Sequence, residues 1–511
     1  MQAWGGGYVT DIEYDDGFYP GQAPMRIALT CAINGVEPPD LVDGFAYCEL
    51  GCGRGSTSLI LAAAHPKAQF HAVDFNPAHI AHAQARAKAA GLTNITFHEL
   101  SFEDLTGPSA PPLPMFDMVT MHGVWSWIAP TLQQAIITFF NARLRPGGVV
   151  YVSYNAMPGW SEAAPLQRLV KELAGEVVAR SDLAAEQAIR MATRLAEVKA
   201  VPERMHEGLS RIHGVLKDGL RTYLAHEYMN EHARPLYHLD VARAFGEAKL
   251  SFVGSTDLIR NFQNMVITPA QHALLAEIAS PDLRETLKDF CGDTRFRTDV
   301  YIRGARRMTI ERRQTLLRSL RLTLLRHPPE AFHLNLPDGA AWRPEPTVYL
   351  PVLEALKTRP HRVSELLTLP ELPAGHTVDA VELIGILCGS NLTTLYAPPS
   401  PAALEAAARL NAVTLSEGDS RRAILAVPAI GAALALAPVD QALYADLSRK
   451  AQPDSEDLAR RFIALCRAGG GHPVIDGKPV EDEAEAMLAV GADYAERIAH
   501  VGPLWRMMSM V

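Results

Sequence analysis

Residues 46–55 read AYCELGCGRG. The run AYCEL is short, apolar and bounded, as a buried strand is, and it passes at once into alternating glycines at 51, 53 and 55. Glycine permits the sharp turn from strand to helix and lets backbone pass close to a ligand, so this stretch predicts the first strand, loop and helix of a doubly wound sheet. Four further runs repeat the strand pattern: QFHAVD (69–74), ITFHEL (95–100), FDMVTMH (116–122) and VVYVSYN (149–155). Between them lie helix-length segments such as PAHIAHAQARAKAA and TLQQAIITFFNARL. Strand alternating with helix predicts a parallel α/β sheet over residues 46–155. Pro146-Gly147-Gly148 reads as the turn before the fifth strand, and Pro158-Gly159 sets the edge of this unit near Trp160.

The glycine loop alone is a weak signal, but Asp74 stands nineteen residues beyond Gly55, at the end of the second strand. An acid there can accept the hydroxyl hydrogens of a ribose. The loop is not completed as GxGxxG, Arg54 and Ser56 crowd the place of a pyrophosphate, and there is no GxxxxGK[ST] run. A nucleoside without phosphates fits better than a dinucleotide or a nucleoside triphosphate.

ELGCGRG (49–55), AVDFNP (72–77), HELSFEDL (98–105) and RPGGVVYVSYN (145–155) resemble the motifs of class I S-adenosylmethionine-dependent methyltransferases. That resemblance implies a Rossmann-like sheet and S-adenosyl-L-methionine as cofactor. It assigns Glu49, Gly51 and Gly53 to the methionine end, with Cys52 of the same loop, Asp74 to the ribose, Phe75 to the adenine face, and Ser101 and Phe102 to the adenine edge. His122 would face the sulfonium, and Tyr19 joins the cofactor set. HGVWSWIAP (122–130), SYNAMPGW (153–160), residues 223–257 and FRTDVYIRGARR (296–307) resemble more narrowly the methyltransferases with a regulatory domain, among them rickettsial protein-lysine methyltransferases. Lysine side chains of a protein are therefore the acceptor this resemblance implies. The Asn/Asp-Pro-Pro-aromatic motif of many nitrogen methyltransferases is replaced by Met121-His122-Gly123-Val124-Trp125, which disfavours adenine and glutamine as acceptors.

A lysine amine is protonated at neutral pH and must lose its proton or its water before it can attack. His122 is the candidate proton acceptor, Trp125, Trp127 and Tyr154 a candidate aromatic wall, and Asn155 a candidate orienting group. Each has a structural alternative as a strand-end or packing residue. Tyr8, Asp11, Tyr14, Phe18 and Tyr19 form an aromatic-acidic cluster that reads as a lid over the cofactor. His226 and Glu227 are expected to hydrogen-bond toward the catalytic core and help close the substrate entrance. They lie on different helix faces without an HExxH pattern, and Cys48 and Cys52 lack a matching pair, so no metal site is expected.

The chain has 511 residues, 48% apolar and 21% charged, which excludes disordered and low-complexity classes and suggests about three domains. The expected division is 1–160 for the cofactor-binding methyltransferase domain, 161–326 for a mostly helical regulatory domain and 327–511 for a C-terminal winged-helix-like domain. Lys249–Gly254 reads as a local strand or as a late edge strand of the first sheet. The net charge of −9 gives no reason to expect nucleic acid. It conceals eight arginines against one acid over 301–326, and seven basic against thirteen acidic side chains in the first 160 residues. Docking of the basic stretch on the protein's own catalytic domain, or a solvated face, is the favoured reading. Six scattered cysteines and the lack of a signal-peptide pattern or membrane span suggest a cytoplasmic location, with no membrane partner and a homodimer left open. Two other functions compete: a small-molecule methyltransferase with the same cofactor, and a nonenzymatic cofactor-binding sensor.

Overall fold

In a computed structural model, the structure describes residues 5–12, 17–108, 110–217, 219–336, 341–417, 423–449, 452–475 and 478–511. Tyr14 of the N-terminal cluster lies outside them. Five parallel strands, β1 (Ala46–Leu50), β2 (Gln69–Asp74), β3 (Ile95–Glu99), β4 (Phe116–Met121) and β5 (Leu144–Asn155), run where the apolar runs predict. Side chains alternate across this sheet as the period of a strand requires. Cys48, Val119, Val150 and Val152 face one core; Tyr47, Met118, Val149 and Tyr151 face the other. The first core is closed by α4 (Pro130–Arg143) and the second by α1 (Pro24–Ile33) and α2 (Ser56–Ala64). The helix α3 (Pro77–Ala89) starts where Asn76 accepts a hydrogen bond from the amide of Ala78 and Pro77 presets the first turn.

The sheet does not end near residue 160. Two strands from farther along, β6 (Leu250–Ser255) and β7 (Phe296–Arg303), complete seven in the order β3-β2-β1-β4-β5-β7-β6. β7 is antiparallel to both neighbours. The segment 161–326 therefore shares the catalytic sheet, and 249–254 is part of a late edge strand. The reason lies in β7 itself: Val300 and Ile302 enter one core while Arg297, Asp299 and Tyr301 are buried on the opposite face. A strand buried on both faces needs a sheet, not solvent, beside it. Pro146-Gly147-Gly148 is also not a turn ahead of β5. The strand begins at Leu144 opposite Phe116, and its register slips before Val149 pairs with Met118, so the three residues form an irregularity inside the strand.

Between β5 and β6 the chain forms α5 (Ala163–Gly175), α6 (Ser181–Glu197), α7 (His206–Lys217), α8 (Arg221–Met229) and α9 (His238–Gly246). The first four bury one apolar stripe apiece in a common core that includes Leu166, Ile189, Ile212 and Leu224. Ser181 is the first residue of α6, and its amide and hydroxyl both donate to Asp11, at 2.8 and 2.6 Å.

The basic stretch docks on the rest of the protein. Arg312 pairs with Glu37 at 3.0 Å, and Arg313 and Arg307 donate to the carbonyls of Ile33 and Asn34 at the end of α1. Cations at a helix C-terminus are favoured by its unsatisfied carbonyls. Residues 321–324 pair with 361–362 and 393–395 in a small antiparallel sheet, so the C-terminal unit starts before residue 327. Farther on, the helix Pro401–Ser416 packs Ala406, Ala407 and Leu410 against Leu59, Ile60 and Ala83 of α2 and α3. Arg86 of α3 fixes this contact, donating to Ser56 at 2.7 Å on one side and Thr414 at 3.0 Å on the other. Among the described residues, no helix is long and apolar enough to cross a membrane.

Candidate active site

The sheet's strand order reverses between β1 and β4, and the C-terminal ends of the strands open into a cavity there, as doubly wound sheets provide. Its volume is about 300 Å³, and its walls include Tyr19, Glu49, Gly51, Cys52, Gly53, Asp74, Phe75, Ser101, Phe102 and His122. The glycines serve two purposes. Gly51 has φ +72° and a Cβ there would come within 2.6 Å of Val124, whereas Gly53 (φ +53°) faces open space.

Asp74 holds the loop by accepting from the amide of Gly53 at 2.9 Å, and accepts from that of Asn76 at 2.9 Å. His79 lies 3.3 Å from the same carboxylate. A carboxylate offers about four acceptor positions, so one remains toward the cavity. Glu49 is buried at the cavity floor and accepts from Gln22 at 3.0 Å and from Ser58. Burial pushes its carboxyl up to about 7, although both hydrogen bonds favour the ionised form.

His122 follows β4. Its Nδ1 stands 2.8 Å from the hydroxyl of Tyr151, and its ring stacks on Tyr19 with centroids 3.8 Å apart. Burial lowers its pKa to about 3. The ring is therefore neutral at pH 7. His122 stands in the cavity wall, with its Nδ1 engaged by Tyr151 and its face covered by Tyr19.

Trp125 and Tyr154 do not line the cavity. Trp125 is buried edge-on against Phe245 of α9, at 5.0 Å. Tyr154 is buried in the same core as Trp125, donating to Asp299 at 2.7 Å, within a network in which Arg297 also binds Asp299, Asp289 and Glu285. Strand alternation explains both the error and its remedy: Asn155, one residue on, points to the opposite side.

Asn155 lines a second cavity of about 540 Å³, together with Trp127, Trp160, Tyr223, Glu227 and Phe296. The two cavities share Gly17, Tyr19, His122, Gly123 and Trp127 as a common wall. Glu227 lies 3.5 Å from the amide nitrogen of Asn155, and its buried carboxyl is pushed up to about 7. Sequence reasoning placed Glu227 toward the catalytic core but gave it no chemistry. The signal was its spacing of four from Tyr223, which puts both on one helix face.

An N-terminal strap closes the first cavity. Tyr8 packs edge-on to Phe75 at 5.9 Å and also meets Trp127 and His226, 6.3 and 5.6 Å away. The amide of Val9 donates to Asn230 at 2.9 Å, and the carbonyl of Gly7 accepts from Glu231 at 2.8 Å. The helices α6 and α8 thereby anchor the strap. Among the described residues, no group of His, Cys, Asp and Glu is arranged to hold a metal ion.

This geometry coincides with what known proteins show. A family model described as "Methyltransferase domain" matches residues 48–150, and one described as "Predicted methyltransferase regulatory domain" matches residues 220–303, the span of α8 through β7. The uncharacterized protein sll1526 of Synechocystis is 33% identical over 499 residues, 94% of either chain. Trans-aconitate 2-methyltransferase of Methylobacterium nodulans is 30% identical over 148 residues, 29% of this chain and 50% of that one. The structure of PKMT2 from Rickettsia typhi in complex with AdoHcy shares the fold at TM-score 0.69 and 18% identity, covering 97% of this chain and 99% of that one.

Proposed function

The chain belongs to the family of class I S-adenosylmethionine-dependent methyltransferases that carry a methyltransferase regulatory domain, and on that premise we propose that it methylates lysine side chains of proteins. The first cavity suits the cofactor. Its lining carries Glu49, Asp74 and Glu103 against Arg54, which favours a cationic ligand, and it has an acceptor position at Asp74 and aromatic rings at Phe75 and Phe102. Asp74 would hold the ribose, Phe75, Ser101 and Phe102 the adenine, and Glu49 with the glycine loop the methionine end. When bound, S-adenosylmethionine supplies a methyl group on a positively charged sulfur. The residues of this chain orient it, and Tyr8, Tyr19 and Trp127 exclude water from above.

The observation that carries the acceptor assignment is the second cavity, which meets the first at Tyr19, His122 and Gly123 and is walled by aromatic rings around a carboxylate. Such a wall suits an alkylammonium group. The match in fold to PKMT2 of Rickettsia typhi supports the same reading. We assign the helices of 161–246 and the C-terminal unit to acceptor choice and access. The helix–strand–helix–helix–strand order over 346–395, with its three-stranded sheet, supports a winged-helix-like C-terminal unit.

A small carboxylate acceptor is the second reading, favoured by Arg211 and Arg295 in the same cavity and by the likeness to trans-aconitate 2-methyltransferase. Incubation with methyl-labelled S-adenosylmethionine and a cell lysate separates the two. Label in protein bands, recovered as methyl-lysine after hydrolysis, is the expected result. Label confined to small metabolites refutes protein methylation.

A further inference from the structure

Glu227 brings a carboxylate into the second cavity, and its partners there are the amide of Asn155 and the phenol of Tyr223. Glu227 is partly buried, and among the described residues it forms no ion pair. Its own backbone carbonyl is fixed by Gln167 at 2.8 Å, so the side chain projects from a held turn of α8. The walls around it are Trp127, Trp160, Tyr228 and Phe296. Arg211 and Arg295 line the same cavity, and among the described residues neither forms an ion pair with Glu227. Burial raises the carboxyl toward neutrality, which matches a group that exchanges protons at physiological pH.

Resting on the lysine reading above, we propose that Glu227 receives the acceptor's primary ammonium group in the second cavity, holds it toward the shared wall at His122 and takes its proton. In that step one N–H bond breaks and leaves its electron pair on nitrogen, and one O–H bond forms on the Glu227 carboxylate. Water then carries the proton to solvent. The segment matched as a regulatory domain thus supplies a group that touches the acceptor, and His122 remains a neutral wall. Tyr223 and Tyr228 of α8, Arg211 of α7 and Arg295 ahead of β7 also face this cavity. Burial raises both phenols above their ordinary range, whereas the Glu227 carboxyl is pushed up to about 7.

The test uses the full chain loaded with S-adenosylhomocysteine and calorimetric titration with Nα-acetyl-lysine methylamide between pH 6 and 9. The wild-type protein should bind more tightly as pH rises through about 7, because Glu227 ionises while the amine stays charged. Glu227→Gln should weaken binding about tenfold or more and flatten that pH dependence. Glu227→Asp should retain the pH dependence with weaker binding, which decides the matter even where the glutamine variant loses S-adenosylhomocysteine affinity by misfolding. Unchanged affinity and pH dependence in both variants overturns the proposal, as does failure of the wild-type protein to bind the lysine analogue. Failure of the lysine reading would show instead as labelled small metabolites in the lysate experiment, whatever Glu227 does.

Discussion

His122 and Tyr19 lie face to face, their ring centroids 3.8 Å apart and their planes 18° from parallel. One ring ends a strand of the sheet and the other belongs to the N-terminal segment, so the stack joins lid to scaffold directly beside the cofactor cavity. Tyr151 holds the histidine from its other side at 2.8 Å. An imidazole clamped in this way serves as a surface.

Asp74→Ala should abolish measurable binding of S-adenosylhomocysteine by calorimetry. The substitution removes both the ribose acceptor and the partner of the Gly53 amide, so the glycine loop loses its shape along with its ligand. Micromolar affinity in the variant would refute the ribose assignment.

His122 also makes a prediction about stability. Its folded pKa of about 3 lies below the unfolded value of about 6.5, so the unfolded chain binds more protons between these values. Stability therefore falls as pH drops from about 6.5 toward 3. His65 and His71, both lowered to about 4 by burial, add to the same decline. Urea titrations of His122→Gln should show a shallower loss across this range, and its turnover should keep the wild-type pH optimum. A moved optimum would return the histidine to proton transfer.

Tyr154→Phe should leave turnover unchanged and destabilise the fold by about 1–3 kcal/mol in urea unfolding, because Asp299 loses a buried donor. Arg297 and His238 still serve that carboxylate, which keeps the loss in this range. A drop in turnover without a drop in stability would mean that Tyr154 acts at the site after all.

Asn230→Ala removes the acceptor of the Val9 amide and should loosen the strap. Stopped-flow release of S-adenosylhomocysteine should accelerate severalfold, with smaller change in the association rate. An unaltered release rate would separate the strap from cofactor retention.

The glycine loop and Asp74 were readable as neighbours at the cavity because a strand-to-helix turn and a strand end have fixed spacing in sequence. The strands β6 and β7 were harder to place, since about ninety residues of helix and loop separate β6 from β5, and partner choice across such a gap depends on tertiary packing. Tyr154 and Asn155 show the same limit at the scale of one residue: the chain position is evident, but the facing follows from which neighbour each side of β5 receives. Glu227 was legible as a residue near the core. Its role depends on Asn155, seventy-two positions away, and on the aromatic walls that only the folded chain assembles.

The strap from Gly5 to Ile12 lines the first cavity through Gly5, Gly6 and Tyr8 and is bonded through Gly7, Val9 and Asp11 to the residues just past α8 and to the start of α6. Thermodynamic linkage then applies to the two cavities. Were an acceptor to shift α8, cofactor affinity would change by the same factor, and the reverse would hold in the same ratio. Of the strap's eight residues Gly5, Gly6 and Tyr8 line the first cavity, while Val9 and Asp11 are bonded to Asn230 and Ser181, so any coupling between the cavities would be carried by one short segment.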